Sequence, residues 1–298
     1  MGAPRVMRRA LAVAVIVALV AWLLVPLARA VSLVSPHPSD LAAPADLAVD
    51  DLRISADAEA RGTVPLAAWS LHVTHGDPAV VLVHGFKTSR AEMLPWARFL
   101  HAGGFNVLLF DTRGCGRSGG ATVGLGATEP RDISLAVEAA QAEFGTTRIA
   151  VLGVSLGAGA AILAAAADPR IAAVVADSAW TSQDFTLSRL DTLPLGPIRL
   201  PLVPYSGALV NALVGADVHA ARPIDAIARV SPRPVLLIHS ADDDNATTTP
   251  DGARRLYEAA AAPKDLWMAP RGGHAGAINA VPDEYRSRVL GFLRAALR

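Results

Sequence analysis

Beyond residue 48 the chain alternates short apolar runs with longer stretches whose apolar positions recur every three or four residues. That alternation predicts a mainly parallel sheet flanked by helices. Leu66 to Val73 is expected as an early strand. Ala79-Val80-Val81-Leu82-Val83, β-branched and bounded by Pro78 and Gly85, is expected as a buried one. Further strands are expected at Asn106–Phe110, Arg148–Val154, Ile171–Ala176, Val235–His239 and Leu266–Ala269. Between them the first helix opens at Ser89, with Glu92 as capping-box partner. It carries Met93, Trp96, Ala97 and Leu100 on its apolar face and ends at Gly103-Gly104. Arg131–Phe144, Leu156–Ala167, Pro250–Ala262 and Glu284–Leu297 are the other helices. Asp168-Pro169 stops the second of these, and Thr249 is the expected N-cap of the third.

Two segments depart from this rhythm. Arg5, Arg8 and Arg9 precede an uncharged run, Ala10 to Ala28, whose nineteen residues make a helix of about 28 Å, close to a bilayer's hydrocarbon thickness. Residues 10–28 are therefore expected to span the membrane once, and the positive flank puts the N-terminus in the cytoplasm with the rest extracytoplasmic. The competing reading is a signal peptide cleaved at Ala28-Arg29-Ala30, followed by secretion. The run exceeds the usual signal core of about 7–15 residues, which favours an uncleaved anchor. Residues 1–30 are thus set apart as the anchor, 31–48 as a Pro-, Ser- and Ala-rich linker, and 49–298 as the domain. The second departure is 180–227, with five prolines between Pro194 and Pro223 and no strand pattern. It is expected to be a short helical lid, or else a mobile loop.

Lys+Arg and Asp+Glu both number 27, so the chain carries no net charge and offers no electrostatic reason to expect nucleic acid. One cysteine, Cys115, excludes an intramolecular disulfide; it sits in the glycine-rich run Arg113-Gly114-Cys115-Gly116-Arg117 and reads as a small loop side chain. Nothing in the pattern fixes an oligomeric state.

Candidate chemistry enters with Gly153-Val154-Ser155-Leu156-Gly157. This G-x-S-x-G lies between an expected strand and an expected helix, the context of a nucleophile elbow, in which the turn lifts the Ser155 hydroxyl above the sheet. A serine needs a base. His274, in Arg271-Gly272-Gly273-His274-Ala275-Gly276 just after the last strand, is placed to supply it. The acid that orients the imidazole should follow Val235–His239, where Asp242, Asp243 and Asp244 stand. That run lacks the D-x-[DN]-x-[DN]-G spacing of a calcium loop, so no metal is assigned. The backbone amides of Phe86, in His84-Gly85-Phe86-Lys87, and of Leu156 are the expected oxyanion donors. His84 reads as structural.

Together these residues resemble the α/β-hydrolase superfamily, and within it the single-domain hydrolases grouped with serine aminopeptidases and Bem46-type proteins. The resemblance runs from about Leu52 to Arg298. It rests on Val83-His84-Gly85-Phe86, Phe110-Asp111-Thr112-Arg113-Gly114-Cys115-Gly116-Arg117-Ser118, the Ser155 motif, Pro232 to His239, and Gly273-His274. It implies an α/β-hydrolase fold and, from the family's I-H-G-x-x-D falling on Ile238 to Asp243, assigns the acid to Asp243 with Asp242 as runner-up. Ser240 replaces that motif's glycine. Asp111, Arg113 and Ser118 match a motif that looks structural.

The implied reaction is acyl transfer to water through a Ser155-His274-Asp243 triad, without a cofactor. A small-molecule carboxylic ester is the first expectation. Leu193, Leu195, Ile198, Leu200, Leu202 and Val203 would line its pocket, face the membrane, or simply pack on the sheet. The rival is an exopeptidase, which would grip a free amine through acids such as Glu129, Asp184 or Asp191. A membrane-tethered binding protein on the same scaffold is a third reading.

Overall fold

The computed structural model describes residues 3–55, 64–188, 192–202 and 205–298. Eight strands form one sheet: β1 (Asp50–Ile54), β2 (Leu66–Leu71), β3 (Ala79–Val83), β4 (Asn106–Phe110), β5 (Ile149–Val154), β6 (Ile171–Asp177), β7 (Val235–Ser240) and β8 (Lys264–Ala269). Their spatial order is β1-β2-β4-β3-β5-β6-β7-β8. β1 and β2 pair antiparallel, β2 pairs antiparallel with β4, and every other pair is parallel. Each parallel crossover needs a helix, and the helices cover both faces.

The β3 side chains show how the layers divide. Val81 and Val83 join a core made with α3 (Glu129–Phe144), α4 (Leu156–Ala167) and α6 (Pro250–Ala259), while Val80 and Leu82 face α2 (Leu94–Ala102) and α7 (Pro282–Ala296). Period-two alternation thus feeds two apolar layers at once, which is why these strands read as unbroken hydrophobic runs. Thr249 caps α6 by accepting from the Gly252 amide at 3.0 Å.

Three expectations change. The Ser89/Glu92 capping box does not form: Ser89 makes no side-chain cap, residues Arg90–Met93 form a 3-10 turn, and the Glu92 carboxylate turns elsewhere. β1 escaped notice because it is a polar edge strand, with Trp69 Nε1 donating to Asp51. The region 180–227 holds a two-stranded ribbon, Thr192–Leu195 against Ile198–Pro201, besides short helices. Pro194 and Pro201 argued against strands there, but a two-strand ribbon consists only of edges, where proline is tolerated. Leu195, Ile198 and Leu200 on this ribbon are exposed, Leu202 is buried, and Val203 lies outside the described residues.

The apolar N-terminal run is helical, and α1 (Ala3–Val34) continues past residue 30. It is long and apolar enough to cross a membrane or to serve as a signal sequence. Its first two-thirds are exposed, but Pro26, Ala30 and Val34, four residues apart and hence on one face, are buried. Ala30 and Val34 pack with Cys115, Val123, Leu187 and with Val210 of α5 (Ser206–Val214). The segment after it is laid along the domain: His37 and Pro38 pair in parallel with Cys115 and Gly116, and Arg98 grips Asp46 through both its Nε and Nη2 at 2.9 Å.

Candidate active site

Ser155 stands between the end of β5 and the start of α4 with φ 54° and ψ −115°, a strained conformation for a residue with a side chain. The turn is tight enough to need both flanking glycines: a Cβ at Gly153 would lie 2.2 Å from the Gly157 carbonyl oxygen, and one at Gly157 2.5 Å from that of Val83. Leu156 opens α4, so its amide has no partner within the helix and the positive end of the helix points at the serine.

His274 reaches over the sheet from the loop after β8. Its Nε2 lies 2.8 Å from Ser155 Oγ, and its Nδ1 lies 3.0 Å from Asp243 Oδ2. An ionised carboxylate can only accept, so the proton belongs on Nδ1 and leaves Nε2 free to accept from the serine hydroxyl. Asp243 is buried. Burial opposes its charge, yet the contacts from His239 and His274 and the Asn245 amide prevail and hold its carboxyl well below the ordinary range.

The three neighbouring aspartates separate by what they touch. Asp242 accepts from the Gly272 and Gly273 amides at 3.2 and 2.8 Å, fixing the His274 loop, and Asp244 is exposed. The Gly273 and then the Gly272 amide hold the Asp242 carboxyl below its usual range. Two partners of the site were assigned no role from the sequence. Thr248 Oγ1 sits 2.9 Å from His274 Nδ1. His239, fully buried, brings Nε2 to 3.0 Å from Asp243 Oδ2 in a poorly aligned contact that acts through proximity more than direction.

Phe86 follows a loop braced on both sides. His84 Nε2 accepts from the Thr112 amide at 3.0 Å, so its Nδ1 carries the proton and donates to the Gly85 carbonyl at 2.8 Å. Burial disfavours the charged imidazole of His84, in keeping with that neutral state. From the other side Glu92 accepts from the Gly85 amide and the Thr88 hydroxyl, both at 2.7 Å. Asp111 is structural: it receives Arg90 through both backbone and guanidinium, and the Arg117 amide as well. Arg113 binds Asp132, and Ser118 Oγ donates to the Asp111 carbonyl.

A brace lies underneath. The Ser155 amide donates to the Asp177 carbonyl, and Ser178 Oγ links the Asp177 carboxylate to the Ala275 amide beside His274. Tyr285 donates to Asp177 at 2.8 Å and accepts from Trp96 Nε1 at 2.8 Å. Burial pushes the Asp177 carboxyl up.

Ser155 and His274 open into a cavity of about 450 Å³ walled by Leu33, Phe86, Leu125, Leu156 and Trp180. Among the described residues lining it, Glu92 is the only acidic one. Glu129 is buried under the Gly124 and Gly126 amides, Asp184 is engaged by His219 and Arg222, and Asp191 lies outside the described residues. Cys115 lies outside the cavity lining, and burial pushes its thiol up to about 11. Iodoacetamide at pH 8 should therefore leave the folded protein unlabelled and modify Cys115 only in denaturant, as intact mass would record.

Residues 74–194 match the family described as serine aminopeptidase, S33. Over 230 residues the chain is 30% identical to the uncharacterized protein Rv2307c of Mycobacterium tuberculosis, covering 72% of this chain and 70% of that one. It is 29% identical over 223 residues to the uncharacterized protein YqkD of Bacillus subtilis, covering 74% and 72%. Among solved structures, the esterase Pf2001 of Pyrococcus furiosus superposes with a TM-score of 0.70 at 25% identity, over 89% of this chain and 100% of that one.

Proposed function

This chain belongs to the α/β-hydrolase superfamily, and taking it as a serine hydrolase of that class we propose that it cleaves carboxylic esters through Ser155, His274 and Asp243, anchored to the membrane by α1. The observation that supports this reading most is the unbroken series of contacts from Asp243 through His274 to a strained Ser155 at the floor of an apolar cavity.

In the mechanism His274 Nε2 takes the Ser155 proton as Oγ attacks the ester carbonyl. The amides of Phe86 and Leu156 receive the oxyanion, a contribution of about 2.7–4 kcal/mol per donor. His274 then protonates the departing alcohol, and the acyl group stays on Ser155. Water, deprotonated by the same Nε2, attacks the acyl-enzyme; the acid leaves, and the proton returns to Ser155. Asp243 supports the imidazolium at each stage without giving up its charge.

An ester is favoured over a peptide amine because, among the described residues, the candidate acids for holding an ammonium are committed. Glu129 and Asp184 have partners, and Glu92 is bound to the Gly85 loop. A purely binding role would need neither the strain at Ser155 nor the aligned His274. The anchor reading rests on the exposed apolar length of α1 and on Arg8 and Arg9 before it, which keep the N-terminus cytoplasmic and the domain outside.

The test is labelling of the full-length protein in detergent with a fluorophosphonate probe. The expected result is a single adduct on Ser155 that disappears in the His274→Ala variant. A folded wild-type protein that takes no label would sink the hydrolase reading.

A further inference from the structure

The surface of α1 connects to Ser155. Leu33, the last residue but one of the helix, forms part of the wall of the Ser155 cavity. A second, more open hollow of about 480 Å³ lies beside it, bounded by Val25, Ala28, Arg29, Leu33, Phe86 and Lys87. The two adjoin at Leu33 and Phe86, so apolar side chains follow one another along the helix from Val25 to the loop that carries the expected oxyanion donor, with Lys87 bound to the Ser32 carbonyl at the edge of this groove.

The lower end of that groove coincides with the end of the uncharged run, Ala10 to Ala28. The ribbon of residues 192–201 is fastened at the same height. Trp22 Nε1 donates to the Pro201 carbonyl at 2.9 Å, the Arg29 guanidinium donates to the Thr192 carbonyl, and the Tyr205 hydroxyl donates to the Leu23 carbonyl. The ribbon holds out Leu195 (52% exposed) and Ile198 (62% exposed) beside a helix whose own apolar side chains, Leu19 and Leu23 among them, are also exposed. Trp22 is a residue type that sits at bilayer interfaces. The apolar ribbon tip and the exposed helix thus form one surface suited to the same apolar medium.

We propose that the substrate is a long-chain fatty acyl ester of a membrane lipid, which reaches Ser155 along this groove directly from the bilayer. The proposal rests on the serine-hydrolase reading above and specifies its substrate. From Val25 to Leu33 is eight residues of helix, about 12 Å of climb. An ester carried that far keeps the near part of its acyl chain against Val25, Ala28, Leu33 and Phe86 while the tail remains among lipid. Lys87, which donates to the Ser32 carbonyl, and Arg29, which donates to the Thr192 carbonyl, border the hollow where the polar headgroup would rise with it. Hydrolysis then gives a free fatty acid and the deacylated lipid, with water as the only co-substrate.

The experiment uses the full chain in phosphatidylcholine vesicles and follows two reactions: release of labelled palmitate from the vesicle lipid, and hydrolysis of a water-soluble acetate ester. Ala28→Trp narrows the groove below the Ser155 cavity, and the double variant Leu195→Asp/Ile198→Asp removes the apolar ribbon tip. Each should lower palmitate release relative to acetate hydrolysis by about tenfold or more. Fluorophosphonate labelling of Ser155 reports that each variant is folded. The proposal is overturned if both variants change the two reactions equally, or if wild type cleaves the acetate and takes the label yet releases no palmitate. A wild type that neither cleaves acetate nor takes the label overturns the hydrolase reading itself, and this inference with it.

Discussion

Ser155→Ala should lower kcat by about six orders of magnitude with no change in fold, a loss of about 8 kcal/mol in transition-state stabilisation. The substitution removes one oxygen and leaves the backbone to adopt the same turn, because Gly153 and Gly157 supply the clearance. Alanine at φ 54° is no less strained than serine, so the thermal midpoint should stay close to wild type. The residual rate should be that of the cavity and the amides of Phe86 and Leu156 acting on bound ester. Burst and steady-state kinetics with a chromogenic ester would measure both. A variant retaining a tenth of wild-type kcat would mean that another group carries the acyl transfer.

Asp243→Asn should lower kcat by about four orders of magnitude, again with the fold kept. The Asn245 amide donates to Asp243 Oδ1, so an asparagine there keeps its oxygen on that side and turns its NH2 toward His274. His274 Nδ1 then becomes the acceptor, the ring proton moves to Nε2, and the imidazole can no longer receive a proton from Ser155. Asp242→Asn is the contrast. Its oxygens accept from the Gly272 and Gly273 amides and touch no group of the triad among the described residues, and the change should cost less than about tenfold. A reversal of these two effects would shift the acid to Asp242.

What could be read from the chain was what depends on neighbours in sequence. The helix Leu156–Ala167 was legible to the residue, because an alanine-rich run begins at the elbow and ends at Asp168-Pro169. The buried strands were legible because both of their faces are covered, which leaves no polar alternation to blur them. What failed were features fixed by distant partners. Glu92 sits at capping-box spacing from Ser89, yet a carboxylate goes where amides are unpaired, and the Gly85 amide is nearer than any cap. Three aspartates in a row are separated in the sequence only by the family resemblance, through the I-H-G-x-x-D stretch that ends on Asp243. In space the approach of His274 on one side and of Gly272 and Gly273 on the other distinguishes them. Thr248 gave no sign, since nothing local marks a residue that meets the site through a loop, and His239 stood in the quoted I-H-G-x-x-D stretch without a role assigned to it. The docked face of α1 was hidden for another reason: Pro26, Ala30 and Val34 are apolar within an apolar run, and no contrast sets them apart.

That docked face has a consequence for how the molecule searches. A catalytic domain on a loose stalk would tumble above its membrane and meet lipids in every orientation. Pro26, Ala30 and Val34 are instead buried against the domain, so with α1 as the proposed anchor only lateral drift and spin about the bilayer normal would remain as free motions. For the lipid substrate proposed above, encounter would then be a two-dimensional problem, in which the crowding of substrate within the leaflet, rather than its amount in the surrounding water, would set how often the groove is filled.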